Sequence, residues 1–215
     1  MRDVNVQMEK IVLTPEQLYF LGECMDAKYI DYDYVAAMHE LNRNYQRSRR
    51  KYISQLAQDG LVRERLSGEI AVRPLPEKLL GNVFFGETET TLQVIEPNNA
   101  EGSVTWRFHW HEESVTQVRT TGDVLEVSAC SQEAVCDLVS RLVDTAPEPR
   151  PLSRLTREQV EKILMAKKAV VGKSSAILVL FQQDGGLYTT DEAGNPTGIS
   201  CEQGRLLLQQ ALKGE

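Results

Sequence analysis

Near Val83 the chain switches from a helical to an alternating hydrophobic period, and no other feature limits its fold as tightly. Thr90–Ile95, Ser103–Trp110, Val115–Thr120 and Val124–Val127 read as strands, separated only by Pro97-Asn98-Asn99, Glu112-Glu113 and Thr121-Gly122-Asp123. Strands joined by such short turns pair antiparallel, because a parallel pair needs a crossover of about a dozen residues. A meander is therefore expected. Ser131–Val143 follows with a helical stripe of Val135, Leu138, Val139 and Leu142. Trp106, Phe108 and Trp110 share one strand face, the expected core side under that helix, while Arg107 and His109 share the other.

Upstream, Thr14-Pro15-Glu16-Gln17 carries the cap residue, the first-turn proline and the N3 glutamine of a helix start. A second helix is expected from about Tyr32 to Tyr45, with Tyr34, Ala37, Met38 and Leu41 on one face. A third is expected from about Arg47 to Asp59, ended by Gly60. Leu61–Arg65, a Ser67-Gly68 turn and Glu69–Arg73 read as a hairpin, which Pro74 and Pro76 close. Gly81–Glu89 reads as a flexible stretch. Ala146–Pro151 holds three prolines in six residues and reads as a linker.

Beyond it, Thr156-Arg157-Glu158-Gln159 is expected to open a helix to about Ala169. Ala176–Phe181, Leu187–Thr190 and Thr197–Ser200 read as strands, and Ser200 caps a last helix to about Leu212. Leu13-Thr14-Pro15-Glu16-Gln17-Leu18 echoes Leu155-Thr156-Arg157-Glu158-Gln159-Val160, and Ser128-Ala129-Cys130 echoes Ile199-Ser200-Cys201. These echoes predict an α+β fold: one domain over residues 1–215, a pseudo-two-fold of duplicated helix–antiparallel strands–helix halves. The halves cover about 1–145 and 152–215 and share one sheet, with Ala176–Phe181 pairing to a strand of the first half.

The inventory for chemistry is thin. Gly172-Lys173-Ser174 lacks the upstream glycine of a phosphate loop, because Lys167 stands there, and it follows an expected helix rather than a strand. His109 and His111 lie two apart on a strand and could meet one ion, but no third ligand completes a metal site; the other histidine is His39. No nucleophile elbow is present, and no catalytic residue or cofactor is implied. Cys24, Cys130, Cys136 and Cys201 have no metal or redox spacing and read as reduced thiols, Cys130 and Cys136 near the start and middle of one expected helix and Cys201 entering another. The longest apolar run is six residues, Ala176–Phe181, far short of the roughly 20 a membrane helix needs. The first seven residues have no apolar core for a secretory signal, so a cytoplasmic protein is expected.

The net charge is −7, which opposes nucleic acid and anionic membranes in bulk. Between Leu41 and Leu75, however, eight basic residues face Asp59, Glu64 and Glu69, a local +5 that leaves −12 on the remainder. Residues about 30–75 thus resemble the recognition helix and wing of winged-helix DNA-binding domains. On that alternative Arg47, Arg49, Arg50 and Lys51 on the helix (basic over about 43–59), with Arg63 and Arg65 on the wing, would contact phosphates.

The layout of about residues 9–213 resembles the EspG-type chaperones of bacterial type VII (ESX) secretion systems. The resemblance is carried by the opening Leu13-Thr14-Pro15-Glu16-Gln17-Leu18, by Leu56-Ala57-Gln58-Asp59-Gly60-Leu61-Val62 entering the sheet, and by Asp191 ahead of Gly204-Arg205. It implies a non-catalytic, cytoplasmic protein that binds helical secretion substrates and keeps their apolar tips covered until export. Such a protein needs an exposed apolar patch with a polar rim. Phe84 and Phe85, adjacent aromatics between Gly81 and Gly86, are the expected partner-binding anchors.

Overall fold

The computed structural model describes residues 9–27, 30–36, 38, 44–99, 102–112, 114–143, 149–152, 154–156, 158–170, 176–191 and 193–213. Its elements run β1 (Lys10–Leu13), α1 (Pro15–Cys24), α2 (Tyr32–Ala36), α3 (Tyr45–Gln58), β2 (Val62–Glu64), β3 (Ile70–Val72) and α4 (Pro74–Phe85). They continue with β4 (Thr88–Ile95), β5 (Val104–His111), β6 (Ser114–Thr121), β7 (Val124–Cys130) and α5 (Gln132–Val143). The last are β8 (Val160–Val170), β9 (Ala176–Gln183), β10 (Gly186–Thr190), β11 (Pro196–Ile199) and α6 (Cys201–Ala211). Nine strands form one sheet in the order β1-β7-β6-β5-β4-β8-β9-β10-β11, and β2 pairs with β3 as a separate ribbon. The α+β class follows, with a large antiparallel sheet.

The chain divides into two compact units, Met1–Gly86 with Thr116–Ala129, and Glu87–Val115 with Cys130–Glu215. In the first, the Thr14 hydroxyl accepts from Gln17 N at 3.2 Å and the Gln17 side chain accepts from Thr14 N at 2.9 Å, the reciprocal cap its sequence predicts. Leu18, Phe20 and Leu21 of α1 then pack with Tyr52 and Leu56 of α3, Leu79, Leu80 and Phe84 of α4, and Leu125 and Val127 of β7. Gly60 ends α3 with φ +70°.

In the second unit β4 pairs antiparallel with β5 and β8, β8 with β9, β9 with β10, and β10 with β11. Even-numbered β4 and β8 residues (Leu92, Val94, Leu164, Ala166) and Leu180 of β9 form one core with Phe108, Trp110, Val135, Val139 and Leu208. Phe108 and Trp110 thus lie on the core side, as expected. Trp110 Nε1 donates to Thr90 Oγ1 at 2.8 Å, and Thr90 Oγ1 donates to Leu212 O at 3.2 Å, tying the end of α6 to β4.

Several expectations are corrected. Thr156–Ala169 is not a helix: its greater part is β8, hydrogen-bonded on both edges, and tertiary pairing overrides a helix-like spacing of Val160, Ile163 and Leu164. The second half therefore lacks its opening helix, and the repeated order is four strands then a helix, β4–β7 with α5 and β8–β11 with α6. The halves join through β8 against β4. Ala176–Phe181 lies in β9, which pairs with β8 and β10 rather than with a first-half strand. Pro74 opens α4 at its first position instead of closing a block, so most of Gly81–Glu89 is helix and strand. Cys130 ends β7. Ala37, His39, Leu41, Arg43, Ala146 and Gly172-Lys173-Ser174 lie outside the described residues.

Candidate functional site: an open sheet face

Side chains alternate across a strand, so the odd-numbered positions of β4, β8 and β9 lie opposite the α5–α6 side. Register aligns them in rows: Ile95, Ile163 and Phe181; Gln93, Met165 and Val179; Thr91, Lys167 and Ile177. Ile95, Ile163, Met165, Ile177, Val179 and Phe181 belong to neither hydrophobic core. Ile177 is 62% exposed and the other five are partly exposed. At one end Ile95, Ile163 and Phe181 combine with Pro97, Leu155 and Val160 in a groove of about 590 Å³, with Glu96 and Ser103 as its polar members.

Two devices close the rest of this face. Toward β11, the Tyr188 hydroxyl donates to Arg150 O at 2.9 Å and accepts from Arg150 N at 3.1 Å, holding Pro149-Arg150 against β10. Gly198, in register with Tyr188, makes room for it: a Cβ there would stand 2.7 Å from the Pro149 ring. Toward β5, Glu89 sits 3.8 Å from Arg107 Nε and 3.7 Å from His109 Nδ1. Burial and the Arg107 charge push the His109 pKa down to about 3, so the imidazole is neutral; Glu89, which also accepts from Thr91 Oγ1, is already matched by Arg107. His111 is exposed, and among the described residues no group of three or more potential metal ligands assembles.

The two phenylalanines separate. Phe84 is buried in the first unit's core, its ring 3.2 Å from where a Cβ on Gly22 would stand, while Phe85, on the same helix, is 51% exposed. Phe84 is therefore not a surface anchor. Phe85 lines a groove with Met25, Arg65, Ile70 and Val72, so the structure brings one expected anchor beside one expected wing arginine.

Helix α3 and the β2–β3 ribbon form as the winged-helix reading expects, but the cleft between them does not suit a polyanion. Four carboxylates, Glu23, Asp26, Glu64 and Glu69, line it beside Arg49 and Arg50. Arg49 faces Glu23 at 3.8 Å and Arg65 pairs with Glu69 at 3.0 Å. Glu23 also accepts from the Tyr45 hydroxyl at 2.6 Å, which pushes that phenol up to about 12. Lys51 lies 4.9 Å over the Tyr52 ring; Arg47, Arg50 and Arg63 are exposed.

Sequence reasoning missed Ile163, Met165, Ile177, Val179 and Phe181. The signal was present in the unbroken apolar runs Ile163-Leu164-Met165-Ala166 and Ala176–Phe181, since a strand apolar at every position is apolar on both faces.

No family model matches the sequence, and no curated protein matches it. Among solved structures, the fold is similar to that of the Mycobacterium tuberculosis type VII secretion system chaperone EspG5, solved in complex with a PE25–PPE41 dimer. The TM-score is 0.65 at 8% sequence identity, over 95% of this chain and 96% of the other. The fold of this chain is therefore EspG-like.

Proposed function

We propose that this protein is a non-catalytic, cytoplasmic chaperone or adaptor of the EspG type, which covers the apolar face of a helical secretion substrate with the open face of β4, β8 and β9. The observation that carries the reading is the row Ile95–Ile163–Phe181, apolar, in register and outside both cores. Soluble chains rarely leave contiguous apolar surface without a partner for it. The full-length likeness to a chaperone supports the same class, and no described helix is long and apolar enough to cross a membrane. Phe85 serves as a second anchor in the first unit.

Co-expression with candidate helical-hairpin proteins is the test. A stable complex should form and should be lost in Phe181→Asp, with the melting temperature of the free protein unchanged within about 2 °C. Binding that survives Phe181→Asp would contradict this surface. Salt-dependent retention of duplex DNA without any protein complex would favour the winged-helix alternative.

A further inference from the structure

The geometry points to Lys167 as the specificity determinant of the open face: it selects a helix whose apolar stripe ends at a carboxylate. This rests on the reading of β4–β8–β9 as the partner surface. On those strands the described odd-numbered positions carry three charges, Glu89, Glu161 and Lys167; Glu161 sits at the register shift of β8 and accepts from Gly185 N at 3.3 Å. Glu89 is matched by Arg107 and largely enclosed with it. Lys167 is exposed between Thr91 and Ile177, and its ammonium has no ion pair or hydrogen bond among the described residues. The other described lysines of β8, Lys162 and Lys168, register with Gln182 and Ala176 on the even-numbered side.

An unmatched ammonium beside exposed apolar rows favours an anionic group on whatever covers them, and repels a cationic one. Lys167 stands four residues from Ile163, about 13 Å along an extended strand. On a helix lying along β8 the same-face position closest to that distance is seven residues on, about 10.5 Å, and the long lysine side chain covers the remaining few ångströms. The selected partner thus carries an Asp or Glu about seven residues, two helical turns, from the apolar side chain that meets Ile163 and Phe181. Because the whole chain is net negative, long-range steering does not help such a partner. The preference arises only on contact, in the dissociation rate.

Three lactam-bridged 18-residue helices with one Leu stripe, ending in Glu, Gln or Lys about seven residues from the leading Leu on the same face, test this by fluorescence anisotropy with the intact protein. The Glu helix should bind about 3- to 5-fold tighter than the Gln helix at low salt, the scale of an exposed pair. The advantage should fade at 0.5 M salt, vanish in Lys167→Ala and pass to the Lys helix in Lys167→Glu. The Gln helix should bind the wild type and Lys167→Ala equally. Equal binding of all three helices overturns the role of Lys167 and leaves the partner surface standing. If none binds, both fall. Self-association of Lys167→Ala without any change in helix preference would make the lysine a guard against aggregation and overturn the proposal.

Discussion

Residues 163 and 164 are neighbours on β8 with nearly the same apolar volume, yet they do opposite work. Leu164 is 1% exposed and packs in the core that includes Val94, Leu180 and Leu208, whereas Ile163 points to the face that no core reaches. The two sides of the second unit's sheet are therefore alike in composition and unlike in cover. Burial on the α5–α6 side stabilises the fold; on the other side the same kind of surface is kept available, with a proline segment and a buried Glu89–Arg107–His109 group at its margins. Apolar content alone does not make a core. Phe84 and Phe85 repeat the contrast within α4.

The largest effects should fall on the covered partners. Phe84→Ala should cost about 3–5 kcal/mol and Leu164→Ala about 2–5 kcal/mol in urea unfolding, through lost burial and the cavity left behind. Ile163→Ala should cost under about 1 kcal/mol and Phe85→Ala under about 0.5 kcal/mol, as surface substitutions do. Equal costs within either pair would erase the distinction between the faces.

A smaller effect belongs to the closed margin. The folded His109 titrates near 3 while the unfolded chain titrates near 6.5, so between those values only the unfolded state takes up the proton. Stability should therefore fall as pH drops through 6.5, by on the order of 1.4 kcal/mol per pH unit. Urea midpoints of wild type and His109→Gln between pH 7 and 5 should diverge accordingly, the variant giving the flatter curve. Identical slopes would mean that His109 is solvated and the margin open.

A local effect sharpens the contrast on α6. Ser200→Ala removes a hydroxyl that accepts from Gln203 N at 3.2 Å and should cost about 1 kcal/mol without touching the open face, leaving helix binding unchanged.

What was legible in the sequence were the locally determined elements. The caps at Thr14 and Ser200, Gly60 after α3, the β4–β7 meander and the amphipathic α5 all follow from residues within a few positions of one another. The string Thr156–Gln159 misled because it does form a turn: Val160 N donates to Thr156 O at 3.0 Å, and Thr156 Oγ1 donates to Gln159 Oε1. Buried Gln183 then takes over, accepting from Thr156 N and donating to Gln159, and the chain leaves as a strand. That outcome depends on β9 and β4, which local spacing does not contain. The open face was hidden by the same misreading, since a helix over 160–169 gives Ile163 and Leu164 one common side.

Solvent relaxation enhancement of the isoleucine methyls by a soluble paramagnetic agent tests the central contrast most directly. In the free protein Ile95, Ile163 and Ile177 should relax strongly while Ile11 and Ile199, 5% and 8% exposed, stay shielded; the Leu-striped helix should then protect the first three. If Ile163 is as shielded as Ile199 before any helix is added, the face is a core and the account of a partner surface on β4, β8 and β9 is contradicted.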